Sequence, residues 1–299
     1  MPAGAHIVHP TVDSSNPDWC GDPTASLPPP TTMPSPGAMP AGSWMATIQR
    51  RGYLIAGVDQ NTYLWGYKDP TTGEYTGFDI DMLRQVSQAI FGSSDPSHLH
   101  FVVVPTADRQ RAVATGEVDI VAETMTINCD RELHGPYPVD FSTVYYDAGQ
   151  ETLVPTDSSI TSLTDLRGKR VCATDSSTSL ANLVSQRLDP PPILWAVPDD
   201  TDCLVMMQQG EVDAISTDNV ILQGLQAQDP NTRLVGPAFT SEPYGMAVSK
   251  AHPEFTRFVN GVLAAERADG IWAQIYSMWL LASGGVAPPP PAATYRSAS

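Results

Sequence analysis

The chain has 299 residues, of which 33 are Asp or Glu and 16 are Lys or Arg, giving a net charge of −17. A surface this acidic repels a phosphate backbone, which excludes nucleic acid as a partner. The 41% of hydrophobic residues suffices for a packed core, the length predicts roughly two domains of about 150 residues, and no run approaches the ~20 apolar residues of a membrane-spanning helix.

Residues 1–43 carry ten prolines, among them Pro28–Pro30, and few apolar side chains. Such a stretch buries too little surface to offset its ordering entropy, so it is expected to be a flexible, extended tether. The folded region opens at Trp44. Tyr53–Val58 reads as a strand, followed by the aromatics Tyr63, Trp65 and Tyr67 and a turn at Asp69–Gly73. Gly77–Asp81 leads into a helix to about Phe91, with Asp79 or Asp81 at its dipole-positive end. Phe101–Pro105 is a strand, Asp108–Gly116 a helix and Val118–Ala122 a strand. A second round follows: a strand around Arg170–Ala173, a helix from Ser176, a helix over Asp202–Gln209, a strand at Val212–Ile215 and a helix over Asn219–Gln228. Repeated βα units predict mostly parallel sheets flanked by helices. Residues 283–299, with Pro288–Pro291, are expected to be a disordered tail.

Thr115–Val121 echoes Gln209–Ile215, each running helix, Gly, Glu-Val-Asp, apolar strand. Two copies predict two similar α/β lobes. Ligands of open α/β sheets gather at the carboxyl ends of strands, which directs attention to Glu123–Arg131 and Ser216–Asn219.

The four cysteines, Cys20, Cys129, Cys172 and Cys203, have no zinc-type spacing, and neither metal nor cofactor is expected. Their even number fits two disulfides in an oxidising compartment, or four buried thiols. The N-terminus shows no basic and apolar signal pattern. Cys20 follows Asn16-Pro-Asp-Trp19, which is not the small, apolar context of a lipid-anchored cysteine. Attachment to a membrane would run through the tether or through an anchor not visible in this chain.

An ordered series of motifs then carries a resemblance. It runs through Gly77–Asp81, Val118–Ile127, Arg131, Asp140–Ser142, Tyr145–Tyr146, Asp165-Leu166-x-Gly168-Lys169, Val212–Ala214, Asp218, Tyr244–Gly245, Asp269-Gly270-x-Trp272 and Trp279. Over residues 48–281 the chain resembles the bacterial extracellular solute-binding proteins of family 3, the polar amino-acid receptors of ABC importers. Arg170–Cys172, Asp202–Leu204 and Thr217–Leu222 resemble actinobacterial glutamine- and glutamate-binding lipoproteins in particular. The resemblance implies an α/β, two-lobed periplasmic-binding-protein fold with two mixed, mostly parallel sheets joined by a two-strand hinge. Lobe one would comprise residues 44–148 and 242–282, and lobe two residues 149–241.

The implied site grips a free amino acid by both charged ends. A planar Arg fork pairs a carboxylate, and an Asp pairs an ammonium. By resemblance Arg131 takes the α-carboxylate, helped by Thr126 and the backbone at Thr124, and Asp218 takes the ammonium. Alternatives are a surface ion pair for Arg131 and a helix N-cap for Asp218. Ser177 and Thr178 would close on the carboxylate from a helix N-terminus, although Ser176 stands where the family usually has Gly. Tyr63 and Trp65 are candidates to sandwich the ligand, with core packing as the alternative, and Asp59 could reach the cleft mouth. Glu123 would repel a ligand carboxylate and tolerate an amide or a cation, or else pair with Arg109. Glutamine is thus placed ahead of glutamate, with a basic amino acid open; Arg109 or Arg111 could instead favour an acidic ligand. Cys172 is expected to bond Cys203, and Cys20 to pin the arm to Cys129.

The implied protein is not an enzyme and acts at the cell surface, delivering its amino acid to an ABC permease. Alternatives are a sensor that signals to a transmembrane receptor and, on the same scaffold, a dehydratase of small carboxylic acids.

Overall fold

The computed structural model describes residues 1–8, 20–281 and 285–297. Two sheets, each flanked by helices, make up the body. In the first, Leu54–Val58 pairs in parallel with Leu99–Val103 and with Ile120–Val121. Ala247–Ser249 then adds antiparallel to Ile120–Val121, and Val139–Phe141 closes the edge. In the second, Arg170–Thr174 lies parallel to both Ile193–Val197 and Ala214–Asp218, and Gln150–Pro155 and Thr232–Val235 continue antiparallel. Residues near 146 and 243 carry the chain between the two bodies, where Tyr146–Ala148 pairs antiparallel with Glu242–Tyr244. Each parallel strand ends at the interface between the lobes, so the following helix N-termini face one another there.

The helices form where the sequence supplies caps. Ser43 accepts from Ala46 N at the start of Trp44–Arg51, and Gly52 ends that helix at φ 95°. Phe78–Phe91 buries Phe78, Ile80, Met82, Leu83, Val86 and Ile90 at helical spacing against the first sheet and the C-terminal helices Pro253–Asp269 and Ile271–Trp279.

The arm is where composition misled. Residues 1–8 and 20–43 lie on the body instead of forming a free tether. His6–Ile7 adds an edge strand to the second sheet, and Ala25–Ser26 pairs in parallel with Thr294–Tyr295 of the C-terminal segment on lobe one. The physical reason is that proline removes a donor but keeps its carbonyl. Arg257 donates to the Pro28 carbonyl at 2.9 Å, Asn260 to that of Leu27 at 2.7 Å, and Arg267 to that of Pro291 at 3.0 Å. The parts of the expected tether and tail at 9–19, 282–284 and 298–299 lie outside the described residues. Both disulfides are present: Cys20–Cys129 with Cα atoms 5.5 Å apart and Cys172–Cys203 at 5.6 Å.

Glu266, on helix Pro253–Asp269, is 2% exposed, and neither carboxylate oxygen has a hydrogen-bond partner among the described residues. Burial pushes its pKa up from 4.5 to about 8. The folded state therefore holds a proton that the unfolded chain releases, and the stability this represents is full below pH 4.5 and lost as pH rises toward 8. Glu266→Gln removes that dependence. In denaturant titrations the variant should gain on the wild type by roughly 4 kcal/mol between those two pH values. A constant difference would show that Glu266 is not protonated in the fold.

Candidate functional site

A narrow cavity of about 20 Å³ lies between the lobes, room for about one water. Lobe one contributes Thr106, Arg109, Thr124 and Arg131; lobe two contributes Thr174, Ser177, Thr178, Ser179, Asp200, Thr217, Asp218 and Ile221. A larger cavity of about 150 Å³ adjoins it toward the outside, sharing Thr106 and Asp200 and adding Asp59, Asn61, Glu123 and Asp199. The lobes touch around both. The Asn61 side chain donates to Asp199, and the hydroxyls of Thr126 and Thr178 lie 3.3 Å apart. This is a closed arrangement.

Arg131 sits on the short helix Cys129–Leu133, which Asn128 caps by accepting from the Arg131 N–H at 2.8 Å. The guanidinium is buried, donates through Nη1 to the Thr126 carbonyl at 2.6 Å, and makes no ion pair among the described residues. Burial, then the neighbouring Arg109, lowers its pKa to about 9. Across the cavity, Asp218 ends strand Ala214–Asp218 and precedes helix Asn219–Gln228, yet its side chain makes no capping bond. It accepts from the Tyr244 hydroxyl at 2.6 Å, and burial with nearby Glu242 raises its pKa to about 7. Neither group has a salt-bridge partner among the described residues, and burial is the main cause that disfavours both charges, with Glu242 and Asp218 partly offsetting it for Arg131.

The other expected residues divide. Thr124, Ser177 and Thr178 line the inner cavity. Ser177 also caps helix Thr178–Ser185, accepting from Leu180 N at 3.0 Å. Ser176 adopts φ 59° where a Gly is usual, so the loop keeps the left-handed turn despite the side chain. Thr126 stands just behind the lining, donating to Glu242 at 2.8 Å. Glu123 lines the outer cavity, and the Arg109 guanidinium bonds its carbonyl at 2.8 Å, not its carboxylate. Arg111 is spent on Asp108 and Glu117 at the surface.

Trp65 and Tyr63 are corrections. Trp65 is fully buried, its ring 4.7 Å from Tyr146 and 5.6 Å from Tyr244, and it belongs to the core beneath the cleft. Tyr63 is 38% exposed, packs edge-to-face with Tyr67, and is not among the residues that line either cavity. The turn Thr62–Trp65 directs the indole inward, and alternation along a strand predicts nothing there. Among the residues not singled out beforehand, Ser179, Thr174 and Asp200 come from starts of helices and ends of strands in lobe two. Asp79 acts from behind: it accepts from Tyr145 at 2.6 Å and from Thr124 N at 3.0 Å, tying the Thr124 loop to the core.

With this geometry in place, comparison with known proteins is informative. Residues 54–282 match the family model described as bacterial extracellular solute-binding proteins, family 3. The chain belongs to that family. It is 34% identical to the ABC transporter glutamine-binding protein GlnH of Bacillus subtilis, over 79% of this chain and 84% of that one. It is 36% identical to a glutamine-binding protein of Geobacillus stearothermophilus, over 68% and 75%. Among solved structures it is similar to an ancestral arginine-binding protein bound to arginine, with TM-score 0.69 and 30% identity over 77% of this chain and 99% of that one. The members of the family are extracellular binding proteins, and none of the described helices here is long and apolar enough to cross a membrane.

Gly224, on the lobe-two helix Asn219–Gln228, sits at a close contact between the lobes. A Cβ there would lie 2.8 Å from the Tyr63 carbonyl of lobe one. Gly224→Ala raises helix propensity by up to ~1 kcal/mol, so lobe two should not suffer. Closure should, by about 1–2 kcal/mol, the cost of an overpacked contact. Ligand affinity is expected to fall about tenfold by calorimetry, with melting temperature in the absence of ligand held. Unchanged affinity would show that the complex does not close onto this contact.

Proposed function

We propose that this protein captures a free polar amino acid in the interlobe cleft and delivers it to an ABC importer. The single observation that carries this reading is the placement of Arg131 and Asp218 on opposite sides of one cavity, each buried and each without a salt-bridge partner among the described residues. A zwitterion supplies both, entering when the lobes part, since the cavity of about 20 Å³ in the closed arrangement is smaller than an amino acid. Its carboxylate accepts from the Arg131 fork and from the Thr178 hydroxyl, its ammonium donates to Asp218, and Ser177, whose hydroxyl donates to the Thr174 carbonyl at 2.6 Å, fixes the helix start beside it. Thr124 lines the same wall, and Thr126 holds its neighbour Thr178 in place. Binding bridges the lobes, so the ligand stabilises the closed form in proportion to its preference for it. The importer would read that closed shape. The names of the relatives support glutamine among the candidate ligands, and glutamate is disfavoured by the carboxylates along the outer cavity.

The protein acts at the outer face of the cell, where disulfides persist, held near the membrane by an attachment upstream of the folded body. A thermal-shift screen of the twenty amino acids tests the reading directly. One or a few polar amino acids should raise the melting temperature in a concentration-dependent way. A screen in which none does so would overturn it.

A further inference from the structure

The C-terminal segment meets the body at a place the amino-acid cleft does not use. Pro288, Pro289 and Pro291 line a cavity of about 230 Å³ together with Tyr146, Asp147, Trp272 and Tyr276. The aromatic side chains form one platform. Tyr146 and Tyr276 stack with ring centroids 6.2 Å apart, and Trp272 lies 5.2 Å from Tyr276. Trp272 is held from behind, its Nε1–H donating to the Tyr145 carbonyl at 2.8 Å. Aromatic rings met by a run of prolines is the chemistry that recognises polyproline II chains, whose fixed φ leaves little entropy to lose on docking and whose carbonyls stay free to accept. Arg267 takes one of those carbonyls. It donates to Pro291 O at 3.0 Å, and its other arm donates to the Val144 carbonyl at 2.6 Å and the Thr143 hydroxyl at 3.1 Å, just before the platform begins.

The platform is part of the interlobe crossing. Tyr146 and Asp147 open the strand Tyr146–Ala148, which pairs with Glu242–Tyr244. By Gly149 the chain is held by lobe two, its carbonyl accepting from Asn219 N at 2.8 Å. Tyr146 thus packs with the lobe-one core while Asp147 lies on the stretch that has to change direction when the lobes part. Beyond the prolines the segment is fixed to lobe one again. Thr294–Tyr295 pairs with Ala25–Ser26, and Arg296 donates to the Ala25 carbonyl at 2.8 Å and to Glu132 at 2.6 Å. A segment tied down at these points, with φ locked at Pro288 to Pro291, cannot follow Asp147 as the strand turns. We infer that residues 285–297 are a hinge strap: the proline run is the ligand of a polyproline site on the hinge aromatics, and that contact favours the closed arrangement over the open one. The consequence for ligand affinity rests on the amino-acid reading above; the consequence for the geometry of the lobes does not.

The full chain carrying Pro288→Gly with Pro289→Gly tests this. The pair removes two rings and frees two φ angles, and it leaves the Pro291 carbonyl, the Thr294–Tyr295 pairing and Arg296 in place. Small-angle scattering without amino acid should give a larger radius of gyration than the wild type. Calorimetry should show amino-acid affinity weakened about threefold or more, as follows when the binding-competent form is less populated. A saturating amino acid should bring variant and wild type to the same radius. Pro288→Ala with Pro289→Ala, which keeps a Cβ at each position, is the second variant should the glycines lower the melting temperature. A free-protein radius equal to that of the wild type in both variants would overturn the strap, and so would unchanged affinity in both. Should no amino acid bind the wild type, amino-acid capture falls and the scattering comparison alone decides the strap.

Discussion

Replacing Arg131 by Met is expected to abolish amino-acid binding without unfolding the protein. The guanidinium is buried, its pKa is already lowered to about 9, and among the described residues the one hydrogen bond it makes is to the Thr126 carbonyl. An apolar side chain of similar volume removes an ion that folding disfavours, so the variant's melting temperature without ligand should hold or rise. Binding is another matter. The ligand carboxylate would be left with Arg109 as the cation lining the cavity, and that guanidinium is already bonded to the carbonyls of Glu123 and Thr106. Removing one member of a buried, hydrogen-bonded charge pair costs about 2–5 kcal/mol, a loss of roughly 10²- to 10³-fold. Asp218→Asn should lose affinity on the same scale for the ammonium end while keeping a side-chain oxygen for Tyr244 to donate to. Calorimetry on both variants, with melts as the folding control, decides the matter. Binding within about threefold of wild type in Arg131→Met would remove the proposed site.

The residues that the sequence exposes are those fixed by strand ends. Arg131 and Asp218 follow the two echoed Glu-Val-Asp strands, and an open α/β sheet places such positions at the same face whatever the loops do. The helix start at Ser177 was legible for the same reason, from the hydroxyl run that caps it. Trp65 was not legible, because an aromatic in a tight turn carries no periodicity to say which way it faces; only the packing of Tyr146 and Tyr244 around it decides. Asp200 was hidden differently. The helix was read from Asp202 onward, and Asp200 joins the cleft through packing within lobe two, where its carboxylate accepts from the Thr174 hydroxyl. The Pro-rich arm failed at the level of composition itself. Its affinity for the body lies in carbonyls that every residue owns, met by Arg257, Asn260 and Arg267 at positions a hydropathy reading takes for ordinary helix surface.

That arm supplies the largest expected effect on stability. Cys20–Cys129 closes a loop of 109 residues and Cys172–Cys203 one of 31. In the chain-entropy account these restrict the unfolded state by about 5 and about 4 kcal/mol respectively. The two bonds differ in what else they hold. Cys172 and Cys203 are fully buried in the lobe-two core, so their loss should lower stability and leave ligand selectivity alone. Cys129 begins the helix that carries Arg131, two residues on. The other end of that helix is held by Arg296 of the C-terminal segment, 2.6 Å from Glu132. The arm and the tail, paired with each other through Ala25–Ser26 and Thr294–Tyr295, thus buttress the short helix from both ends. Cys20→Ser with Cys129→Ser should lower the melting temperature by about 10 °C or more and also weaken amino-acid binding, because the guanidinium loses its fixed position. Cys172→Ser with Cys203→Ser should produce only the first of these effects. If the first pair lowers stability but leaves affinity equal to that of the second, the arm is a staple for the fold and has no part in placing Arg131.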